Sequence, residues 1–256
     1  MVGYMTDSAR FTWTVLLPVK VLARAKSRLA VLAGDRRHEL ALALASDTVS
    51  AAVACPEVAR VIVVTSDPVA GPQLAALGAH IIPEPLPQVL ALSTDSLDGS
   101  QPALNAALLQ GAAVAARRWP GTGLAALTAD LPALRPAELA KALRAADGTE
   151  IRTGTEIRTG TEIRTGTEIR TGAAFVPDAA GLGTTLYAVP PGGEFRPMFG
   201  GASRARHAAA GAAELTLDGI AGLRQDVDTP DDLRAAVALG VGRRTAGVAA
   251  ELLADV

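Results

Sequence analysis

The chain has 256 residues, with 24 Lys plus Arg against 26 Asp plus Glu, 3% aromatics and 49% apolar residues. A formal charge of -2 with so few aromatics excludes a nucleic-acid footprint and a base-stacking platform, and the apolar content excludes disorder throughout. Runs such as 40–45 fall far short of the roughly 18–20 apolar residues of a membrane span, no signal peptide is legible, and the single Cys55 leaves no internal disulfide or Cys-based zinc site, so a cytoplasmic protein is expected.

Residues 1–10 are polar and aperiodic and read as a frayed tail, with Met5 a candidate start. A short aliphatic strand follows at 15–17 and runs into Pro18. Residues 36–54 are helical, because Leu40, Leu44 and Val49 recur at roughly helical spacing and Cys55-Pro56 ends the run. VIVVT at 61–65 is β-branched throughout, as a strand buried on both faces should be. A helix at 72–77, a strand at 80–82, a helix at 104–118 and a buried strand at 124–128 come next. Pro136 opens a helix over 136–146. Four tandem copies of TEIRTG fill 149–172. Beyond them lie strands at 173–176 and 185–189, a helix at 203–211, a strand at 214–217 and a helix at 231–239. This alternation predicts a mainly parallel α/β sheet, in which ligands sit beyond the carboxyl ends of the strands. The loops that matter then follow Leu17, Thr65, Thr128 and Arg224.

The first of these loops carries Lys20, Arg24, Lys26 and Arg28 directly after the first strand. Such cations suit a triphosphate, Lys as a point charge and Arg as a fork. No GxxxxGK[ST] is present, so this is not a P-loop, and taken alone the segment reads as a solvated basic loop. Asp130 stands just past a buried strand, where a divalent-cation ligand belongs, although an Asp turn or cap is the local alternative. In QDVDTP, Asp226 and Asp228 point the same way if extended. Asp228 or Thr229 is expected to cap the helix that opens at Pro230, which leaves Asp226 unexplained by local structure. Gly200-Gly201-Ala202-Ser203 can make an anion site or an ordinary Ser cap, and GLGTT at 181–185 a turn before a strand. His207 has no His or Cys partner at metal spacing and reads as structural. Cys55 reads as a small buried hydrophobe.

Taken in order, PVKVLARAKSRLA (18–30), LTADLPAL (127–134), GLGTT (181–185), FGGASRARH (199–207) and LRQDVDTPDDL (223–233) are informative together. The pattern resembles the guanylyltransferases of deazaflavin coenzyme F-420 biosynthesis, the 2-phospho-L-lactate enzymes and their relatives that use phosphoenolpyruvate. The resemblance implies a glycosyltransferase-A-like nucleotidyltransferase fold, a mixed, mainly parallel sheet flanked by helices, formed by one domain over 11–256 with 149–172 inserted.

It also implies GTP and a small phosphorylated three-carbon acid as partners, with release of pyrophosphate. With phosphoenolpyruvate the product would be enolpyruvoyl-2-diphospho-5'-guanosine. By resemblance Asp130 and Asp226 hold Mg²⁺, and Thr184, Gly200 and Ser203 bind the acceptor. Lys20, Lys26 and Arg28 meet the triphosphate, Lys26 counting with the two carboxylates as catalytic, and Asn105 is assigned to the guanosine. The chemistry suits these residue types. A phosphate monoester is largely dianionic near pH 7, so it needs no general base, and the obstacle is repulsion between two polyanions.

The segment 88–102 is longer and more hydrophobic than the family pattern, and the TEIRTG block is foreign to it. Lying after a helix and before a strand, that block falls opposite the active face, as a solvated loop. Four copies are too few for a β-helical core. Rival expectations are 2-phospho-L-lactate or 3-phospho-D-glycerate as acceptor, a sugar-nucleotide transferase, or an inactive partner-binding module.

Overall fold

The computed structural model describes residues 11–22, 26–85, 101–148 and 172–254. The expectations for the 1–10 tail and the TEIRTG block, and most of that for 88–102, lie outside the described residues. Seven strands form one sheet: β1 (Trp13–Pro18), β2 (Val58–Val64), β3 (His80–Ile82), β4 (Gly123–Leu127), β5 (Ala174–Pro177), β6 (Thr184–Val189) and β7 (Ala213–Glu214). Their order is β3-β2-β1-β4-β6-β5-β7. Only β6 runs against the rest, pairing antiparallel with β4 and β5, so the sheet is mixed but mainly parallel. That single reversal matters for the site. It brings the start of β6 to the same edge as the ends of β1, β2, β4 and β5.

Nine helices are described: α1 (Ala30–Ala33), α2 (Arg37–Val53), α3 (Ala70–Ala75), α4 (Pro102–Arg118), α5 (Pro136–Ala146), α6 (Ser203–Ala209), α7 (Ala221–Arg224), α8 (Pro230–Leu239) and α9 (Arg243–Ala254). They cover both faces of the sheet because its central strands are apolar on both. Val15, Leu17 and Leu127 pack with Ala45 and Val49 of α2 and Leu143 of α5. Leu16 and Ala126, their neighbours in sequence, face the other way onto Leu108 and Ala112 of α4. The period-2 alternation of a strand thus becomes two cores rather than one core and one wet face.

Two expectations change. The strand anticipated at 214–217 is only the two-residue β7, although Leu215 N–H still reaches the Phe175 carbonyl at 2.8 Å. Helix α9 was not anticipated, because nothing beside it in the chain caps it. Its free N–H groups are met by the Asp47 carboxylate of α2, which accepts from Thr245 at 2.7 Å and from Arg244 at 3.3 Å. A cap supplied from nearly two hundred residues away leaves no local signature. Val248, Ala249 and Leu252 then bury α9 against Leu40 and Leu44.

Candidate active site

At the shared strand edge lies an open cleft of about 530 Å³, lined from seven separate stretches of chain. One wall is charged. Asp130 follows β4, and its turn is pinned where Leu131 N–H donates to Thr48 Oγ1 at 2.9 Å. Beside it runs the segment after α7, joined by the bond from Val227 N–H to the Asp130 carbonyl at 3.1 Å. Val227 is fully buried, so its neighbours Asp226 and Asp228 project the opposite way. Both line the cleft with Asp130. The two acids that sequence reasoning paired, 96 positions apart by their numbers, are brought together.

The capping question at 226–230 is resolved by side chains. Thr229 caps α8, its hydroxyl accepting from Asp232 N–H at 3.2 Å while Asp232 bonds back to Thr229 N–H at 2.8 Å. Asp228 is therefore released from capping. Its carboxylate accepts from Lys26 Nζ at 2.7 Å, and Lys26 also forms an ion pair with Asp130. Asp228 is a site residue that sequence reasoning assigned to local structure. The capping box at Thr229 and Asp232 was legible and could have freed it.

Lys26 is the only non-glycine among the described residues with a positive φ, at 54°. A side chain in that left-handed region costs about 1 kcal/mol or more, and such strain concentrates at functional sites. Here it turns the ammonium inward between two carboxylates. Burial alone would lower the Lys26 pKa, but the charges and hydrogen bonds of Asp130 and Asp228 outweigh it and raise it, so the lysine stays charged. For Asp228, burial raises the carboxyl pKa, and Lys26, then Arg28 and Lys20, more than reverse this. Asp226 differs. Burial first, then the charges of Asp130, Asp228 and Asp178, push its carboxyl well above the usual range, with Lys26 opposing. Three acids, Asp130, Asp226 and Asp228, thus crowd this wall, and Asp178 adds its charge from the turn before β6.

Could these residues hold a divalent cation? Asp130 Oδ1 is a buried oxygen with no hydrogen-bond partner among the described residues, and Asp226 sits in a field that favours any added positive charge. Both features suit a hard cation bound by carboxylate oxygens. Among the described residues there is no group of three His, Cys, Asp or Glu arranged around a metal. A two-carboxylate site fits Mg²⁺, which keeps several of its waters.

The described cations of the basic loop line the cleft, with Lys26 half-buried and Lys20 and Arg28 exposed. Lys20 Nζ donates to Gln101 Oε1 at 2.8 Å. Lys20 and Arg28 line the cleft together with Lys26. A residue not anticipated, Asp67 beyond β2, anchors this loop by accepting from Leu22 N–H at 2.8 Å. Its other oxygen takes the Val69 and Ala70 N–H groups that open α3.

The opposite wall carries hydroxyls and glycines, with one acid, Asp178, in its turn. Thr184 begins β6, and the turn before it is shaped by Asp178, which accepts from Leu182 N–H at 2.9 Å and Gly183 N–H at 2.7 Å. A Cβ on Gly183 would stand 2.4 Å from the Asp178 carboxylate, so only glycine fits there. Ser203 is the first residue of α6. The residue before it, Ala202, makes no side-chain cap, so the Ser203 hydroxyl is not spent on capping. Gly200 and Gly201 both have positive φ, 106° and 39°, and carry the chain tightly between Phe199 and α6.

Asn105 is placed behind that wall, not among the residues lining the cleft. Its Oδ1 accepts from Phe199 N–H at 2.9 Å and its Nδ2 donates to the Phe199 carbonyl at 3.2 Å. A guanosine contact would require both bonds to be released. Cys55 is buried, as expected of a small hydrophobe, and burial raises its thiol pKa.

Among the described residues no helix is long and apolar enough to cross a membrane. No family model matches the chain. Curated relatives do. A phosphoenolpyruvate guanylyltransferase of Streptomyces coelicolor is 52% identical, covering 94% of this chain and 97% of the relative. That of Thermomonospora curvata is 50% identical over 96% of this chain and 92% of its own. That of Nocardia farcinica is 42% identical over 90% and 87% respectively. Among solved structures, a crystal structure described as a nucleotide-diphospho-sugar transferase from Desulfovibrio desulfuricans superposes with a TM-score of 0.50. It covers 89% of this chain and 96% of that one at 14% identity, a likeness of fold alone.

Proposed function

The chain belongs to the phosphoenolpyruvate guanylyltransferase family, and from that membership we propose that it joins GTP to phosphoenolpyruvate at this cleft, with Mg²⁺ as the metal. The observation that carries the reading is the convergence of Asp130, Asp226 and Lys26 on one wall, facing Thr184, Gly200 and Ser203 on the other. Asp130 and Asp226 would hold Mg²⁺, which when bound supplies charge neutralisation and stabilises departing pyrophosphate.

The chain's own residues do the rest. Lys20, Lys26 and Arg28 bind the triphosphate oxygens and keep the α-phosphorus exposed to the acceptor. Thr184, Ser203 and the Gly200 backbone receive the phosphorylated acid. A phosphate oxygen of the acceptor forms a bond to the α-phosphorus as the bond from that phosphorus to the β-phosphate bridging oxygen breaks. Pyrophosphate leaves with that electron pair, and enolpyruvoyl-2-diphospho-5'-guanosine remains. No proton need be removed, because the attacking phosphate is already largely dianionic at neutral pH. Accordingly, among the wall residues none acts as a general base.

Membership favours this acceptor over 2-phospho-L-lactate or 3-phospho-D-glycerate, and over sugar-nucleotide transfer. The test is mass spectrometry of the product formed from GTP with the three acids in competition, alongside a pyrophosphate assay. Release of a nucleoside diphosphate instead, or product from another acid only, would overturn the reading.

A further inference from the structure

The geometry points to His207 as a positioning residue for the acceptor: its neutral ring holds the Thr184 hydroxyl oriented so that the hydroxyl's proton is donated into the cleft. The inference rests on the assignment of Thr184 to the acceptor site.

His207 is fully buried and bonds in two directions. Met198 N–H donates to Nε2 at 3.0 Å. A backbone amide can only donate, so Nε2 accepts, and a neutral ring then carries its proton on Nδ1. Nδ1 lies 3.0 Å from Thr184 Oγ1, and the ring therefore donates into the hydroxyl oxygen. The reverse arrangement would put a ring N–H against the Met198 N–H, donor facing donor. With its oxygen taken by His207, the Thr184 hydroxyl has its own proton left to give. Among the described residues nothing accepts it, and Thr184 lines the cleft. A ligand carboxylate or phosphate is the acceptor this leaves open.

The ring is held in place from its faces and edge. Tyr187 stacks on it at 4.6 Å and 17°, Phe199 meets it edge-on at 5.4 Å and Phe175 lies at 5.7 Å. Burial, then the charge of Arg206, lower the imidazole pKa to about 4, so the ring is neutral at physiological pH. One side chain thereby joins two halves of the acceptor wall. Nδ1 reaches the start of β6, and Nε2 fixes the backbone two residues before Gly200. Arg206 and Asn105 fix the same loop, through the Met198 and Gly200 carbonyls and through Phe199. Only His207 also reaches Thr184.

The experiment compares KM for phosphoenolpyruvate with KM for GTP in three variants. His207→Phe keeps the aromatic packing and loses both bonds. His207→Asn sets an amide N–H near the Nδ1 position, and His207→Gln sets a carbonyl near the Nε2 position. We expect His207→Phe to raise the acceptor KM about tenfold while the GTP KM stays within about twofold. His207→Asn should recover most of that loss and His207→Gln should not. Added to Thr184→Val, His207→Phe should change the acceptor KM no further. An unchanged acceptor KM in His207→Phe, a parallel rise in both KM values, or equal rescue by Gln and Asn would overturn the inference. If the Phe variant does not fold, the Asn–Gln contrast decides. Failure of the wild-type chain to release pyrophosphate from GTP and phosphoenolpyruvate would instead overturn the acceptor assignment beneath it.

Discussion

The two walls of the cleft solve different problems. The charged wall draws Lys26, Asp130, Asp226 and Asp228 from distant parts of the chain, keeps a strained backbone at Lys26 and leaves Asp130 Oδ1 without a partner among the described residues. The acceptor wall has its backbone held by its own side chains: Asp178, Asn105, His207 and Arg206 each bond the backbone that carries Thr184 and Gly200. On the proposed function, the wall that receives a cation and a polyanion is electrostatically frustrated when alone, and the wall that recognises a small acid is prearranged. The first should therefore trade stability for activity and the second should not.

The sharpest way to break this contrast is Asp130→Asn or Asp226→Asn. Each should lower pyrophosphate release by about a thousandfold or more, because the metal charge is what lets the polyanions meet. Asp226→Asn should also raise the melting temperature, since it removes a buried carboxylate that three like charges disfavour. Retained turnover in both variants would end the two-carboxylate mechanism. Chelation should abolish wild-type activity and Mg²⁺ should restore it, with a Mg²⁺-dependent rise in melting temperature absent from the Asp130→Asn/Asp226→Asn double variant.

Lys26→Met should come next, with kcat down about a hundredfold and the fold intact. Circular dichroism beside steady-state kinetics checks it, and a loss of secondary structure would show that the lysine is needed for folding instead.

A smaller effect probes the acceptor wall through pH. His207 has its pKa lowered to about 4 in the folded chain, against about 6.5 unfolded. Below about pH 6.5 the unfolded state binds a proton that the folded state does not. Stability is therefore complete above that pH and is lost as pH falls toward about 4, by about 3 kcal/mol in total. Asp226, its carboxyl pKa raised, takes up a proton in the folded chain over the same range and works the other way, so the His207 contribution is read as the difference between urea titrations of the wild type and His207→Phe from pH 7 to 4. The smallest effect is expected from excising 149–172. That block precedes β5, which begins at the sheet edge opposite the cleft, and activity should be largely unchanged. A large loss would tie the repeats to the site.

Much of this was legible from residue order. The helices at Pro136–Ala146 and Arg37–Val53 and the strand at His80–Ile82 follow from Pro placement, helical spacing and β-branched runs, all short-range effects. Asp130 and Asp226 were legible as acids that local structure left unexplained. Asp67, Asp178 and the bonded state of His207 were not. Each acts on backbone or hydroxyl groups outside its own element, and one-dimensional spacing carries no record of which N–H a carboxylate will meet.

Local composition thus settled most of the strands, helices and turns, α9 and the short β7 apart, since those choices depend on sterics and burial within a few residues. Folding alone decided that Asp228 meets Lys26, that Asp47 caps α9, and that β6 turns back to bring Thr184 opposite Asp130. These depend on groups far apart in the chain sharing one volume, where the strength of a charge or a hydrogen bond is set by what else is buried beside it.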